Sequence, residues 1–319
     1  MSGEVTRRFR YAPTPSRELH VGNALSALVG WSRARAAGGI FILRIEDIDR
    51  QRCKPAYESA CVEDLRWLGL DWDEGPDVGG GFGPYRQSAR FEAYDELLER
   101  LLQQGVVYRC ICSRADLARH VRAPHASSGG EQPYPGICRN RSVSPAEPAE
   151  RGGFRLNLNA LGLPLDLHWE DGFLGACEEH LSETCGDFLL GRPGYPTYQL
   201  AAVADDIHMG VTDVVRGRDL ASSSARQIIL HQTFGSSPPT FAHHPLILDE
   251  AKRKLSKRDE DATIGGLRRS GLAPDKLIGA LMKAINLNPR GLSLSASDCI
   301  DLLAETPNWS DGEWNEQSL

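Results

Sequence analysis

Apolar positions in the first fifty residues follow two different periods. Phe9–Ala12 is a short, mostly apolar run, and Val21–Ala37 carries Leu25, Leu28 and Val29 at helical spacing. Gly38–Gly39 close that helix, because glycine accepts the left-handed backbone beyond a helix C-terminus. IFILRIED (Ile40–Asp47) is a β-branched apolar run and predicts a buried strand. Strand, loop, helix, strand is a βαβ unit with its two strands parallel. Ligands of such sheets gather at the carboxyl ends of the strands. Both the first loop, PTPSRELHVGN (Pro13–Asn23), and the Glu46–Asp47 end of the second strand lie there.

Helical patterns follow over 56–68 and 88–104, separated by the glycine-rich VGGGFGP. VVYRCIC opens a new region, and 120–148, rich in Gly, Pro, Ser and Arg, reads as an insertion. GFRLNLNALGLPLDLHWEDG alternates as antiparallel strands do. From about Asp187 the α/β pattern returns. TYQLAAVADDI and VTDVVRG read as strands, SSSARQIILHQTFG as a serine-capped helix, FAHHPLILD as a strand and LAPDKLIGALMKAINL as a closing helical segment. The organisation expected is an α/β domain in two halves, 1–107 and 187–265. Residues 108–186 interrupt it, and 266–319 form a helical appendage and tail.

The chain has 319 residues, 41% hydrophobic and 25% charged, an ordinary globular balance. No apolar run approaches the ~20 residues that span a bilayer, and MSGEVTRRFRYAP lacks the apolar core of a secretory signal. A cytoplasmic protein without membrane contact is expected. The net charge is −7, from 36 basic and 43 acidic residues. Gly291–Leu319 holds Asp298, Asp301, Glu305, Asp311, Glu313 and Glu316 and no Lys or Arg, so the rest of the chain is nearly neutral and RNA binding stays open. Disorder is the plain expectation for that acidic tail.

Neither a Walker A sequence nor a GxGxxG after a strand is present. Two other segments offer to hold phosphate. The first loop puts His20, Gly22 and Asn23 at a helix N-terminus, where backbone N–H groups favour an anion. KRKLSKRDED (Lys252–Asp261) is too dense in cations for a buried element and can bring them onto a polyphosphate. Taken singly, each has a plain alternative: a histidine before a helix is usually a cap, and a basic run is usually a solvated face. Cys110 and Cys112, with Cys138 on a loop farther on, supply most of a tetrahedral zinc site. By chemistry alone the fourth ligand is open, and His120 and His125 are better ligands in general than a tyrosine. Asp205–Asp206 is a further pair at a strand end with no role assigned, and its plain alternative is a surface or turn role.

HVGN and KLSKR together resemble the HIGH and KMSKS motifs of class I aminoacyl-tRNA synthetases, in the order that family requires. RYAPTPSRELHVGN, LRIEDID, YRQSARFEAYDELLERLLQQGVVYRCICSR and GVTDVVRGRDL are similar to the glutamyl branch, over most of residues 7–290. Only 61 residues follow KLSKR, as in the shortened paralogues of that branch. The resemblance implies a Rossmann-like catalytic domain with a parallel sheet, a zinc-containing insertion and a short helical C-terminal region. It implies that glutamate and ATP, with Mg²⁺, form glutamyl-adenylate, and that a monomer passes glutamate to the queuosine base in the anticodon of tRNA(Asp). The alternative is conventional charging of a tRNA 3′ end. Arg10, Tyr11, Ala12, Pro13, Thr14, Glu46, Tyr198 and Arg216 would bind glutamate, with arginines taking carboxylates and Glu46 the ammonium. His20, Gly22, Asn23 and Lys257 would serve ATP, His20 and Lys257 catalytically, with Lys254 secondary. A structural zinc, one per chain, would sit on Cys110, Cys112, Tyr134 and Cys138. A pairing of Arg216 with Glu46 or with neighbours is the plain structural alternative. Arg17 stands where the family usually has glycine.

Overall fold

The computed structural model describes residues 6–113, 115–117, 133–140, 152–248, 263–304 and 309–314. The βαβ unit forms as its pattern dictates. β1 (Arg8–Tyr11) leads through the first loop into α1 (Val21–Ala36), and β2 (Ile40–Leu43) returns parallel to β1. Gly38 adopts a φ of +58° after α1. Side chains of β2 alternate between two cores: Phe41 and Leu43 face one, Ile42 the other. That two-sided burial explains the unbroken apolar run.

α2 (Pro55–Trp67) and α3 (Phe91–Gln103) follow. β3 (Val107–Cys110), β4 (Gly153–Leu156), β5 (Asp166–Asp171) and β6 (Gly175–His180) then precede β7 (Leu189–Arg192) and β8 (Tyr195–Pro196). Beyond them lie α4 (Tyr198–His208), β9 (Asp213–Gly217), α5 (Ser224–Thr233), β10 (Thr240–His244) and β11 (Ile247–Leu248). α6 (Ile264–Arg269), α7 (Pro274–Ala284), α8 (Asp298–Ala304) and β12 (Gly312–Glu313) end the described chain.

The main sheet runs β2-β1-β9-β10-β5-β6 and is parallel except for the β5–β6 hairpin at its edge. A separate antiparallel sheet runs β3-β4-β7-β8. The alternating stretch after Gly153 therefore serves both sheets: β4 joins the second, while β5 pairs with β10. One core lies between α1, α2, the sheet and the C-terminal helices, and the other between α3, α4, α5 and the opposite face.

Three local expectations change. Residues 198–208 are a helix, not a strand, because LAAVA is apolar on every side and such short runs carry no period of their own. α5 lacks its serine cap: Ser223 has helical angles and makes no capping bond, since a 3₁₀ turn over Arg218–Ser223 feeds straight into the helix. Part of the acidic tail is docked. β12 pairs with β11, Trp314 is buried, and Asp311 accepts from Leu246 N at 2.8 Å and pairs with Arg218. Among the described residues no helix is long and apolar enough to cross a membrane.

Candidate active site

The first loop is stitched to the β2 side of the sheet. Arg44 N donates to Tyr11 O (2.9 Å), Glu46 N to Pro13 O (3.0 Å) and Lys54 N to Pro15 O (3.2 Å). This loop and the carboxyl ends of β1, β2, β9 and β10 open onto a cleft of about 1710 Å³. Its walls include Arg10–Thr14, then His20, Gly22 and Asn23, and Glu46, Tyr198 and Arg216. Every non-metal site residue read from the sequence is thus brought to one cavity, except Lys257. That residue, with Lys254 and the rest of Lys252–Asp261, lies outside the described residues. The chain leaves and re-enters this region at the cleft itself. Ile247 and Thr263 both line it, Thr263 forms a β-bridge with His20, and Ile264 N donates to Leu19 O at 2.8 Å.

His20 is the N-cap of α1. Its Nδ1 accepts from Gly22 N (3.1 Å), while the Asn23 side chain accepts from His20 N (3.1 Å). The cap fixes the tautomer: with Nδ1 accepting, the neutral ring carries its proton on Nε2. Gly22 is needed for this closure, because a Cβ there would lie 3.0 Å from the imidazole. The plain reading of His20 as a cap holds, and the same geometry sets it in the cleft wall.

Charge beneath the cleft is arranged unevenly. Arg44, fully buried, donates to Glu46 (3.1 Å) and Asp206 (2.6 Å), and Arg10 Nε donates to Asp206 at 3.3 Å. Burial works against the Asp206 carboxylate, but Arg44 and Arg10 outweigh it and hold its pKa below the usual range. For Glu46 burial wins, and its pKa is raised. Asp205 is taken by Arg90 (2.7 Å), Tyr94 (2.9 Å) and Gln87 (2.9 Å). The aspartate pair is therefore buried on α4 and ion-paired, not a surface turn at a strand end.

Arg216, 4% exposed on β9, differs from the other buried arginines. It donates to Tyr198 OH (3.2 Å), Gln227 Oε1 (2.9 Å), Ser224 Oγ (3.0 Å) and His243 Nε2 (3.0 Å). Among the described residues no carboxylate pairs with it, so the alternative of an Arg216–Glu46 ion pair fails. Burial lowers its pKa, and nearby Arg10 adds to the effect. His243 accepts from Arg216 because its Nδ1 is engaged by Asp171 at 2.5 Å. Burial keeps that imidazole neutral by pushing its pKa down. Ser224, Gln227, His243 and Asp171 escaped the sequence reading. Only the paired histidines at the end of a strand, in FAHHP, could have drawn attention to the third. Arg44 could have been suspected as the one cation inside an apolar strand run.

Cys110, Cys112 and Cys138 come together as read, their sulfurs within 4.8 Å of one another. Cys112 and Cys138 sulfurs are 3.5 Å apart, and Tyr134 OH lies 3.4 Å from Cys110 Sγ and 3.6 Å from Cys112 Sγ. Four ligands at zinc bond lengths stand about 3.8 Å apart, so three sulfurs and a phenol oxygen here fit one tetrahedral ion. Arg155 lies 3.8 Å over the Tyr134 ring and holds it in place. His120 and His125 are outside the described residues.

Fold and cleft define a class I aminoacyl-tRNA synthetase catalytic domain, an α/β domain with a mixed, mostly parallel sheet. Residues 6–291 match the family of tRNA synthetases class I (E and Q), catalytic domain, and the chain belongs to that family of ligases. It is 42% identical over 299 residues to a glutamyl-Q tRNA(Asp) synthetase of Nitratidesulfovibrio vulgaris, covering 93% of this chain and 92% of that one. The same name belongs to a Symbiobacterium thermophilum protein, 45% identical over 85% of this chain and 84% of its own. A glutamate–tRNA ligase of Protochlamydia amoebophila is 41% identical over 86% of this chain but 55% of its own length. In structure the chain is similar to a glutamate tRNA ligase from Elizabethkingia meningosepticum in complex with its amino acid. The TM-score is 0.80 at 28% identity, over 98% of this chain and 68% of that one.

Proposed function

We propose that this chain activates glutamate with ATP and passes the glutamyl group to the queuosine base in the anticodon of tRNA(Asp). The observation that carries the glutamate reading is the neutral shell around Arg216. A buried guanidinium held only by Tyr198, Ser224, Gln227 and His243 lacks a counter-ion among the described residues, and a substrate carboxylate supplies one in the planar, two-pronged geometry it prefers. Glu46, across the same cleft, takes the ammonium group, and Arg10 with the Tyr11–Thr14 backbone closes the pocket. What supports the queuosine acceptor is the pair of glutamyl-Q relatives, 42% and 45% identical over most of both chains.

In the first step a glutamate carboxylate oxygen bonds to the α-phosphorus of ATP and the bond to pyrophosphate breaks. His20 and Gly22 hold phosphate at the α1 N-terminus, and Asn23 keeps the cap closed. Lys257, which lies outside the described residues, stabilises charge on the leaving phosphates. Mg²⁺ bound with ATP would neutralise phosphate charge. The site chosen for zinc is Cys110, Cys112, Tyr134 and Cys138; it is closed and apart from the cleft, which fits a structural ion. A cytoplasmic monomer fits this reading.

The test is to incubate the protein with ATP, labelled glutamate and tRNA(Asp), with and without queuosine. Label confined to queuosine-containing tRNA, and surviving oxidation of the 3′ end, supports the proposal. Label lost on that oxidation shows conventional charging, and absence of glutamate-dependent ATP–pyrophosphate exchange overturns both. Lys257→Ala is expected to lower exchange steeply while thermal unfolding stays unchanged.

A further inference from the structure

We propose that the lip of the cleft built by the start of α3 and the β7–β8 hairpin is a stacking platform for an unpaired base of the anticodon loop. The proposal rests on the reading above that the acceptor is queuosine.

Two arginine–aromatic stacks stand on this lip. Arg50 lies 4.2 Å over the Phe91 ring, and Arg192 lies 4.2 Å over the Tyr195 ring. Arg50, Phe91 and Tyr195 all line the cleft. Tyr195 is 65% exposed, more than any other large hydrophobic residue described, and it belongs to neither of the two large cores. Folding gains little from a ring so placed. Yet the backbone that carries the ring is fixed, and Arg192 packs on its face. Arg192 and Tyr195 are register partners in the hairpin, Gly194 N donates to both oxygens of Asp95 (2.8 and 2.9 Å), and Thr197 N donates to Leu190 O (2.9 Å). A ligand that stacks on it has little ordering left to impose.

Aromatic faces combined with arginines are how proteins take unpaired RNA bases: the ring stacks on the base and the cation meets phosphate or adds to the stack. Two carboxylates of this lip are engaged, while Glu92 in the first turn of α3 is exposed. Asp95 holds Gly194, and Asp49 accepts from Arg52 at 2.6 Å. Position completes the case. The hairpin runs directly into Tyr198, whose hydroxyl accepts from Arg216, so a base on Tyr195 is delivered beside the glutamate pocket.

Two activities of the full chain separate this platform from the pocket: glutamate-dependent ATP–pyrophosphate exchange without tRNA, and glutamate transfer to queuosine-containing tRNA(Asp). Tyr195→Ala is expected to lower the kcat/KM of transfer roughly tenfold or more, as loss of one stacked base does, and to leave exchange within about twofold. Tyr195→Phe keeps the stacking face and should transfer like the unaltered protein, while Arg192→Gln should fall between. Undiminished transfer by Tyr195→Ala overturns the platform. So does a parallel fall in exchange with a raised KM for ATP, which would put the adenine on this ring. If the unaltered protein exchanges pyrophosphate but labels only the 3′ end, the queuosine reading fails, and with it the anticodon loop as occupant.

Discussion

Arg216 and Asp64 are both buried and both without an ideal partner, with opposite consequences. Arg216 sits where a ligand can complete it. Arg216→Gln is therefore expected to raise the KM for glutamate roughly ten- to a hundredfold in pyrophosphate exchange, the worth of a charge-assisted pair, with the KM for ATP little changed. Equal changes in both constants would count against its role. Asp64, on α2, has both carboxylate oxygens buried and unbonded, with the Arg268 guanidinium 3.6 Å away. Burial pushes its pKa up to about 6. Between the ordinary carboxylate pKa and 6 the folded state holds the proton that the unfolded state has lost, so stability falls as pH rises through that window. Asp64→Asn should remove this slope and stabilise the protein at pH 7 by on the order of 1–3 kcal/mol, measured by denaturant unfolding at pH 4.5 and 7. An unchanged slope would show that Asp64 does not carry it. Sequence alone singled out Arg216 through its motif and gave no hint of Asp64, because burial of one carboxylate on a helix leaves no mark on spacing.

At the scale of elements, legibility followed period length. α1, α2, α3 and α7 were readable because each sustains a helical pattern through several turns, β2 and β9 because their runs are β-branched, and β1 and β10 because short, mostly apolar runs meet turn residues. α4 was not: LAAVA is enclosed by α3, α5 and the sheet, and a run apolar on all sides fits strand and helix alike. The cysteine cluster belongs to this scale too. Cys110 ends β3, while Tyr134 and Cys138 sit on a short segment packed against it. Few other apolar groups hold this cluster, so an ion would supply much of its order. One zinc per chain by metal analysis is expected, lost in Cys138→Ser. Chelation should speed amide exchange over 107–112 and 133–140 while α1 and β1 keep their protection. Segments indifferent to chelator would refute the metal.

For the whole molecule, the docked part of the tail matters most. β12 pairs with β11, and β11 is the last described element before the segment that carries Lys257. Asp311 ties this strap down through Leu246 N and Arg218. Asp311→Ala is expected to raise the KM for ATP several-fold and leave that for glutamate unchanged, because only the root of the Lys257 segment is loosened; an unaltered KM for ATP would show that the strap is purely structural. What the sequence by itself determined is the local chemistry: the βαβ start, the HVGN cap, the three cysteines and the family they mark. Those features depend on neighbours in the chain, where residue type and spacing suffice. Only the tertiary structure decided that Arg44, Asp206 and Arg10 balance one another and leave Arg216 without a carboxylate among the described residues, that Asp171 steadies His243 from the neighbouring strand, and that the tail docks on β11. Each of these joins residues far apart in sequence, and burial, which sets the worth of a charge, is a property of the packed whole.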